Sequence, residues 1–375
     1  MRMPLFRRPK RWASLVAGLA LTSILLTACG ENSPSILDPA GPIARSESNV
    51  FWIILIIAAI VFVGVEGVLI YSTFRFRERP DSPTPPQIHG NTTVELIWTI
   101  IPAVVLLAVL SVTIKGIFDV ATPPANSTNT VEVTAYGHQW WWEFYYPEYK
   151  MTTADTLVIP PHTNVHVKLY SNNVIHSFWV PALTGKTDVI PGHDNEKWFS
   201  ADTPDKTYLG ICAEYCGTQH ANMRFDVQVT HDNNGFLSWA QTQQQAAAVP
   251  APGSLEAKGQ EVFKNQCTTC HGIVGVSQST PYLQDPNPVG RCDDPQNANG
   301  CLIGPNLTHF GSRHLIAGGV LDYKAQDCNP GGDLSNCNLA KWISDPQKVK
   351  PGNDMTVNVA KSDLPALVAY LESLK

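Results

Sequence analysis

The sequence predicts a multidomain chain: a two-helix transmembrane hairpin, an exported β-barrel or β-sandwich, and a helical module behind a linker. Three observations carry this. Two apolar runs, Val50 to Tyr71 and Leu96 to Ile114, each match the roughly 20 residues that cross a bilayer. Between about 130 and 230, short alternating runs are cut by turn residues, the pattern of half-buried strands. From Leu255 a helical pattern begins, and Lys361 to Lys375 reads as an amphipathic closing helix.

At 375 residues, a prior of about 150 per domain gives two or three domains. Charged residues make up 15% and the net charge is −6, which excludes a nucleic-acid-backbone binder. Residues 1–28 hold Arg2, Arg7, Arg8, Lys10 and Arg11, no acid, and an apolar run from Trp12 to Leu26. That is an export signal. It ends in Leu26-Thr27-Ala28-Cys29-Gly30, which resembles a bacterial lipoprotein box and implies cleavage before Cys29 and a lipid on its sulfur. An ordinary signal with an unmodified cysteine is the alternative.

Residues 29–48 then form an external segment and 49–120 a membrane hairpin, with helices at about 50–72 and 95–117. Arg75, Arg77 and Arg79 lie between the helices, so the positive-inside rule puts that loop in the cytoplasm and both chain ends outside. The expected location is the bacterial cell membrane, multi-pass, with the later modules on the external side. Glu66, near the cytoplasmic end of the first helix, reads as a snorkelling acid. Pro102 would bend the second helix or sit near its first turn.

Strand-like runs at Val131–Tyr136, Val165–Tyr170, Thr207–Ile211 and Phe225–Val229 place a β-sandwich or Greek-key barrel over 125–240. The Gln-, Ala- and Pro-rich stretch 241–254 is a linker. A flexible linker of this size spans about 20–24 Å, so the module at 255–375 could visit or dock on the barrel.

The nine cysteines sort into Cys29, Cys212 with Cys216, Cys267 with Cys270, and four more in the last module. Cys292 and Cys301, like Cys328 and Cys337, are nine residues apart. Two local disulfides are the simplest reading in an oxidising compartment, and the other pairings stay open.

Cys212, Cys216, His220 and Met223 fall within twelve residues of the β-type module. Soft sulfur donors select copper, and a Cys, His and Met set is that of an electron-transfer site. Two thiolates at this spacing could bridge two metal ions, with His176 from another loop as the second terminal imidazole. A Cys212–Cys216 disulfide would leave His220 and Met223 as coincidence, and zinc would not call for Met223.

These residues resemble subunit II of haem-copper cytochrome c oxidases, which carries the dinuclear copper centre CuA. Val94 to Pro102 (VELIWTIIP), Gly137 to Trp142 (GHQWWW) and Lys186 to Gly192 (KTDVIPG) extend the resemblance over about residues 45–230. It implies a membrane hairpin followed by a cupredoxin-like β-barrel. It implies CuA ligands His176, Cys212, Cys216, His220, Met223 and the backbone carbonyl of Glu214, with the Glu214 carboxylate on a Mg2+ (or Mn2+) shared with subunit I. Trp140 occupies the place of the family's electron-entry residue. Glu95 matches its acid near the mouth of a proton channel, where a snorkelling acid is the plainer reading. His193 stands where many members carry Arg.

Cys267-Thr268-Thr269-Cys270-His271 is a C-x-x-C-H, the attachment signature of a c-type haem, with His271 as axial ligand. Electron transfer at raised potential favours Met as the sixth ligand, and Met355 is the only methionine after Met223. Lys350-Pro351-Gly352-Asn353-Asp354-Met355 resembles the K-P-G-x-x-M loop of class I cytochromes c, an all-α fold. Gly304 to Thr308 resembles that family's proximal segment, with Pro305 near His271. His309 and His314 are alternative sixth ligands, with surface residues the plainer reading.

A subunit II fused to a cytochrome c domain resembles the caa3-type oxidases. The implied cofactors are two copper ions, one covalent haem c and the Mg2+. The implied partners are subunit I (haem a and haem-CuB), subunit III, and an external cytochrome or bc-type complex as donor. The implied work is single-electron relay through haem c to CuA and on to haem a, with oxygen reduced and protons pumped in subunit I. A quinol oxidase subunit II would lack the copper ligands and the c haem. A nitrous-oxide reductase would lack the hairpin. A membrane-tethered electron carrier outside the oxygen-reducing oxidases is the remaining alternative.

Overall fold

A computed structural model describes residues 34–77, 89–121, 129–171, 173–277, 304–323 and 327–375, with Gly18 and Gln87. The lipoprotein-box Cys29, the loop residue Arg79, and Cys292 and Cys301 lie outside the described residues.

Two helices, α1 (Pro42–Arg75) and α2 (Thr92–Ala121), are long and apolar enough to cross a membrane, and they pack on each other. Pro102 lies inside α2. Helix α1 starts eight residues before the expected position. Its 34 residues measure about 50 Å, well beyond the roughly 30 Å of hydrocarbon. The extra turns belong to the barrel: Ile43, Ala44 and Ser48 are buried, and Arg45 pairs with Asp202. Ala40 N–H donates to the Ala182 carbonyl at 2.7 Å. The described part of the segment read as external therefore seats the hairpin on the next module.

That module is a ten-stranded, two-sheet barrel. One sheet is ordered β3 (Met151–Ala154), β2 (Trp141–Tyr146), β1 (Thr130–His138), β5 (Asn164–Ser171), β8 (Asn195–Phe199). The other is β4 (Thr156–Ile159), β10 (Arg224–Val229), β9 (Thr207–Cys212), β6 (His176–Trp179), β7 (Thr187–Val189). The pairs β1–β5 and β4–β10 are parallel among antiparallel neighbours, so each sheet closes through crossovers. Trp142, Phe178 and Phe225 fill the space between the sheets, with ring centroids 4.9–5.8 Å apart. In the aromatic block, then, Trp142 is core, whereas Trp140 and Trp141 are only partly buried.

Helix α3 (Asn233–Gln243) runs into the expected linker and lays Phe236 and Ala240 on the barrel. The remainder is docked rather than loose. Gln244 donates to the Tyr149 carbonyl at 2.7 Å, and buried Ala247 donates its N–H to the Val274 carbonyl at 3.1 Å.

The last module packs α4 (Leu255–Gln266) against α7 (Leu364–Ser373), with α5 (Asn338–Ser344), the short α6 (Pro346–Val349) and a two-residue ribbon of β11 (Leu315–Ile316) and β12 (Leu321–Asp322). Ser254 Oγ caps α4 by accepting from the Ala257 N–H at 3.1 Å. Cys328 and Cys337 form a disulfide.

Candidate metal centre and cofactor cavity

Strand β6 begins at His176 and β9 ends at Cys212, adjacent in one sheet. The turn after β9 carries Cys216, and a single 3-10 turn (His220–Asn222) returns the chain to β10 with Met223 at the junction. Six donors thereby converge. The Cys212 and Cys216 sulfurs are 3.8 Å apart. His176 Nδ1 lies 3.9 Å and the Glu214 carbonyl oxygen 3.3 Å from Cys212 Sγ. His220 Nδ1 lies 3.7 Å and Met223 Sδ 3.8 Å from Cys216 Sγ. A four-coordinate metal with bonds of about 2.3 Å to sulfur and about 2.0 Å to nitrogen holds its donors about 3.6–3.8 Å apart. The cluster's separations of 3.3–3.9 Å bracket that spacing. His176, Cys212, Cys216 and Met223 are all buried, and both thiols are unpaired.

The second ring nitrogen of His176 fixes which one faces the sulfurs. Nε2 lies 3.1 Å from Asn173 Oδ1, so it donates there and Nδ1 is left as a lone-pair donor. The two thiols are coupled. The hydrogen bond between them, donated by Cys216, pulls the Cys212 thiol down, and the same bond to Cys212, with burial, pushes the Cys216 thiol up. One proton leaves readily; the second leaves only when cations offset two adjacent thiolates.

A cavity of about 540 Å³, mostly in the last module, counts Cys267, Cys270, His271 and Met355 among its lining residues. Its size is that of a cofactor site. His271 Nδ1 donates to the Pro305 carbonyl at 2.9 Å, which frees Nε2 for a metal, and burial pushes its pKa down, keeping the ring neutral. A Cβ at Gly304 would sit 2.5 Å from His271 Cε1, so the segment can lie flat on the ring only as glycine. His309 is buried rather than on the surface, and it lines a second, polar cavity of about 260 Å³ instead of the first. His314 is exposed.

The two sites meet at Trp140. Its indole N–H donates to the Cys216 carbonyl at 2.9 Å, and the residue also lines the 540 Å³ cavity. Glu214 is exposed, its carboxylate accepting from the Tyr215 N–H at 3.2 Å. Glu95 lies in the first turn of α2 and is exposed, far in sequence from either cluster. Buried Asp155 acts electrostatically on buried Lys350 and on half-buried Arg313 across the module boundary. Of the three, the sequence drew attention only to Lys350, as part of its loop motif. Burial pushes Arg313 down to about 10 and Lys350 down to about 8, each opposed by Asp155. No local signal could have paired them.

Fold and sites together define a membrane-anchored electron-transfer protein with a sulfur-rich metal centre beside a cofactor cavity. Three family models match in series: the cytochrome c oxidase subunit II transmembrane domain over residues 33–114, its periplasmic domain over 150–230, and cytochrome c over 256–375. The chain is 34% identical to cytochrome c oxidase subunit 2 of Alkalihalophilus pseudofirmus, over 98% of this chain and 99% of that one. It is 33% identical to cytochrome c oxidase subunit 2 of Bacillus sp. strain PS3, over 95% of each. It is also 30% identical to quinol oxidase subunit 2 of Bacillus cereus, but over 76% of this chain, against 96% of that one. The chain belongs to the cytochrome c oxidase subunit 2 family, in the form fused to a cytochrome c domain, and these domains imply copper and haem.

Proposed function

We propose that the chain is the electron-entry subunit of a respiratory, caa3-type cytochrome c oxidase. Single electrons from an external cytochrome or bc-type complex enter at a covalent haem c, pass to CuA, and go on to haem a of subunit I, where oxygen becomes water and protons are pumped. The copper and haem supply the one-electron chemistry; the chain supplies position, dryness and donor identity.

The observation that carries this reading is the split of donors. His176 Nδ1 and the Glu214 carbonyl lie beside one thiolate, and His220 Nδ1 and Met223 Sδ beside the other. That divides the donors into two terminal sets around a bridging pair, which fits two copper ions better than one. In the cavity, Cys267 and Cys270 would hold haem through thioether bonds, with His271 and Met355 as axial ligands. The exposed Glu214 carboxylate would take Mg2+ (or Mn2+) at the subunit I interface, and Trp140 would be the electron's way into the copper. Glu95 would lie near a proton-channel mouth in subunit I, and subunit III would complete the complex. The hairpin would place both redox modules outside the bacterial cell membrane, with Cys29 lipidated.

The test is the electron paramagnetic resonance spectrum of the oxidised, copper-loaded full chain in detergent. Hyperfine splitting shared by two equivalent copper nuclei is expected. A single-copper pattern, or no copper signal, would overturn the reading. Acidified organic solvent should leave haem on the polypeptide if the thioethers are present.

A further inference from the structure

Lys350 is a lysine almost wholly removed from water, at 3% exposure. Its ammonium has three protons to give, and three backbone carbonyls take them: Trp140 at 2.6 Å, Ala317 at 2.7 Å and Asn222 at 2.8 Å. A buried charge is costly unless fully hydrogen-bonded, so this geometry is well determined. Ala317 belongs to the last module. Trp140 and Asn222 belong to the barrel, and both adjoin the metal cluster: the Trp140 indole holds the Cys216 carbonyl, and Asn222 precedes Met223. Lys350 itself opens the loop that ends at Met355.

The next residues extend the seam. Gln219 donates to the Pro351 carbonyl at 2.8 Å, and the Arg224 N–H donates to the Gly318 carbonyl at 2.9 Å. A Cβ at Gly352 would come within 3.9 Å of the Trp140 ring, and one at Gly217 within 3.0 Å. The Trp140 ring is thus enclosed between the copper loop and the Met355 loop.

We propose that Lys350 is a positioning residue that holds the Met355 loop on the copper loop, so that haem and copper exchange electrons within a standing complex and not by collision of a tethered module. This rests on the electron-entry reading above. The step moves one electron: the haem iron is oxidised by one, the copper pair reduced by one, and no bond forms or breaks.

The test uses the complete oxidase complex, with haem c reduced by a light-driven one-electron donor and its reoxidation followed by absorbance. In the unmodified complex the internal rate should not change with added viscogen. Nor should it change when Gly and Ser residues are inserted between exposed Val249 and Pro250. Lys350→Met should slow it by about tenfold or more, as loss of a fixed mutual geometry can, with haem absorbance and copper resonance intact; Lys350→Arg should recover part of the loss. An unchanged rate in Lys350→Met with both centres intact would overturn the proposal. So would a rate in the unmodified complex that falls with viscosity or with the insertion, and that measurement decides alone if the variant loses a cofactor. Failure of the electron-entry reading is separately visible, as absence of the two-copper signal.

Discussion

At Gly137 a Cβ would come within 2.7 Å of His176 Cδ2. The residue sits in the buried stretch of β1, and its lack of a side chain is what lets the imidazole stand where Nδ1 reaches the Cys212 sulfur. Gly137→Ala should therefore displace a ligand without touching the cluster itself. Overpacking of this kind costs about 1–3 kcal/mol, and we expect a weakened or altered copper resonance together with a lower melting temperature. An unchanged spectrum would mean that His176 can be moved freely. Asp226 makes a second prediction at this scale. Burial pushes its carboxyl up to about 6, with His314 opposing and Asp155 and Asp322 adding to the rise, whereas an unfolded aspartate titrates near 3.9. Between those values the folded state binds more protons than the unfolded one, so stability falls as pH rises through about 4 to 6. Asp226→Asn removes that loss. Its melting temperature relative to the unmodified chain should rise from about pH 4 to about pH 7, and a pH-independent difference would refute the assignment.

Among elements, legibility followed periodicity. Strands β1, β5, β9 and β10 alternate in the text, and each was visible there. Strand β2, with five of its six residues buried, shows no alternation, because both of its faces are covered. Strands β3, β4, β6 and β7 are only three or four residues long, too short to display a period. Helix α3 did carry a signal that was passed over: Asp232 as its cap, accepting from the Gly235 N–H at 2.7 Å, then Phe236 and Ala240 one turn apart. The copper donors were readable because four of them share one short segment. The packing of α4 on α7 was not, since it depends on one small residue. A Cβ on Gly259 would run into the Ala366 carbonyl and lie 2.7 Å from Tyr370 Cβ. Gly259→Ala should force these helices apart at about 1–3 kcal/mol, lowering the temperature at which the haem absorption spectrum shifts on loss of axial ligation. Unchanged melting would mean that the pair has slack.

For the whole molecule, the contacts least visible in sequence are the ones that join modules. Lys350 and Trp140 are 210 positions apart, and Asn306 meets Thr152 at 3.1 Å across 154. By composition 241–254 reads as a linker, yet Gln244 donates to the barrel and Ala247 to the last module. With the seam this continuous, barrel and last module should unfold together: the copper resonance should be lost and the haem absorption spectrum should shift at one temperature, and two separated transitions would show the modules to be independent. The enclosure of Trp140 carries one more consequence. A mobile carrier can serve many oxidases and leave when spent, whereas a captive one serves a single copper pair and must be recharged in place. Each oxygen molecule consumes four electrons, so four successive refills have to arrive at the outward surface of the last module. In the captive arrangement proposed above, selection of the electron donor would fall to that surface and not to the copper loop.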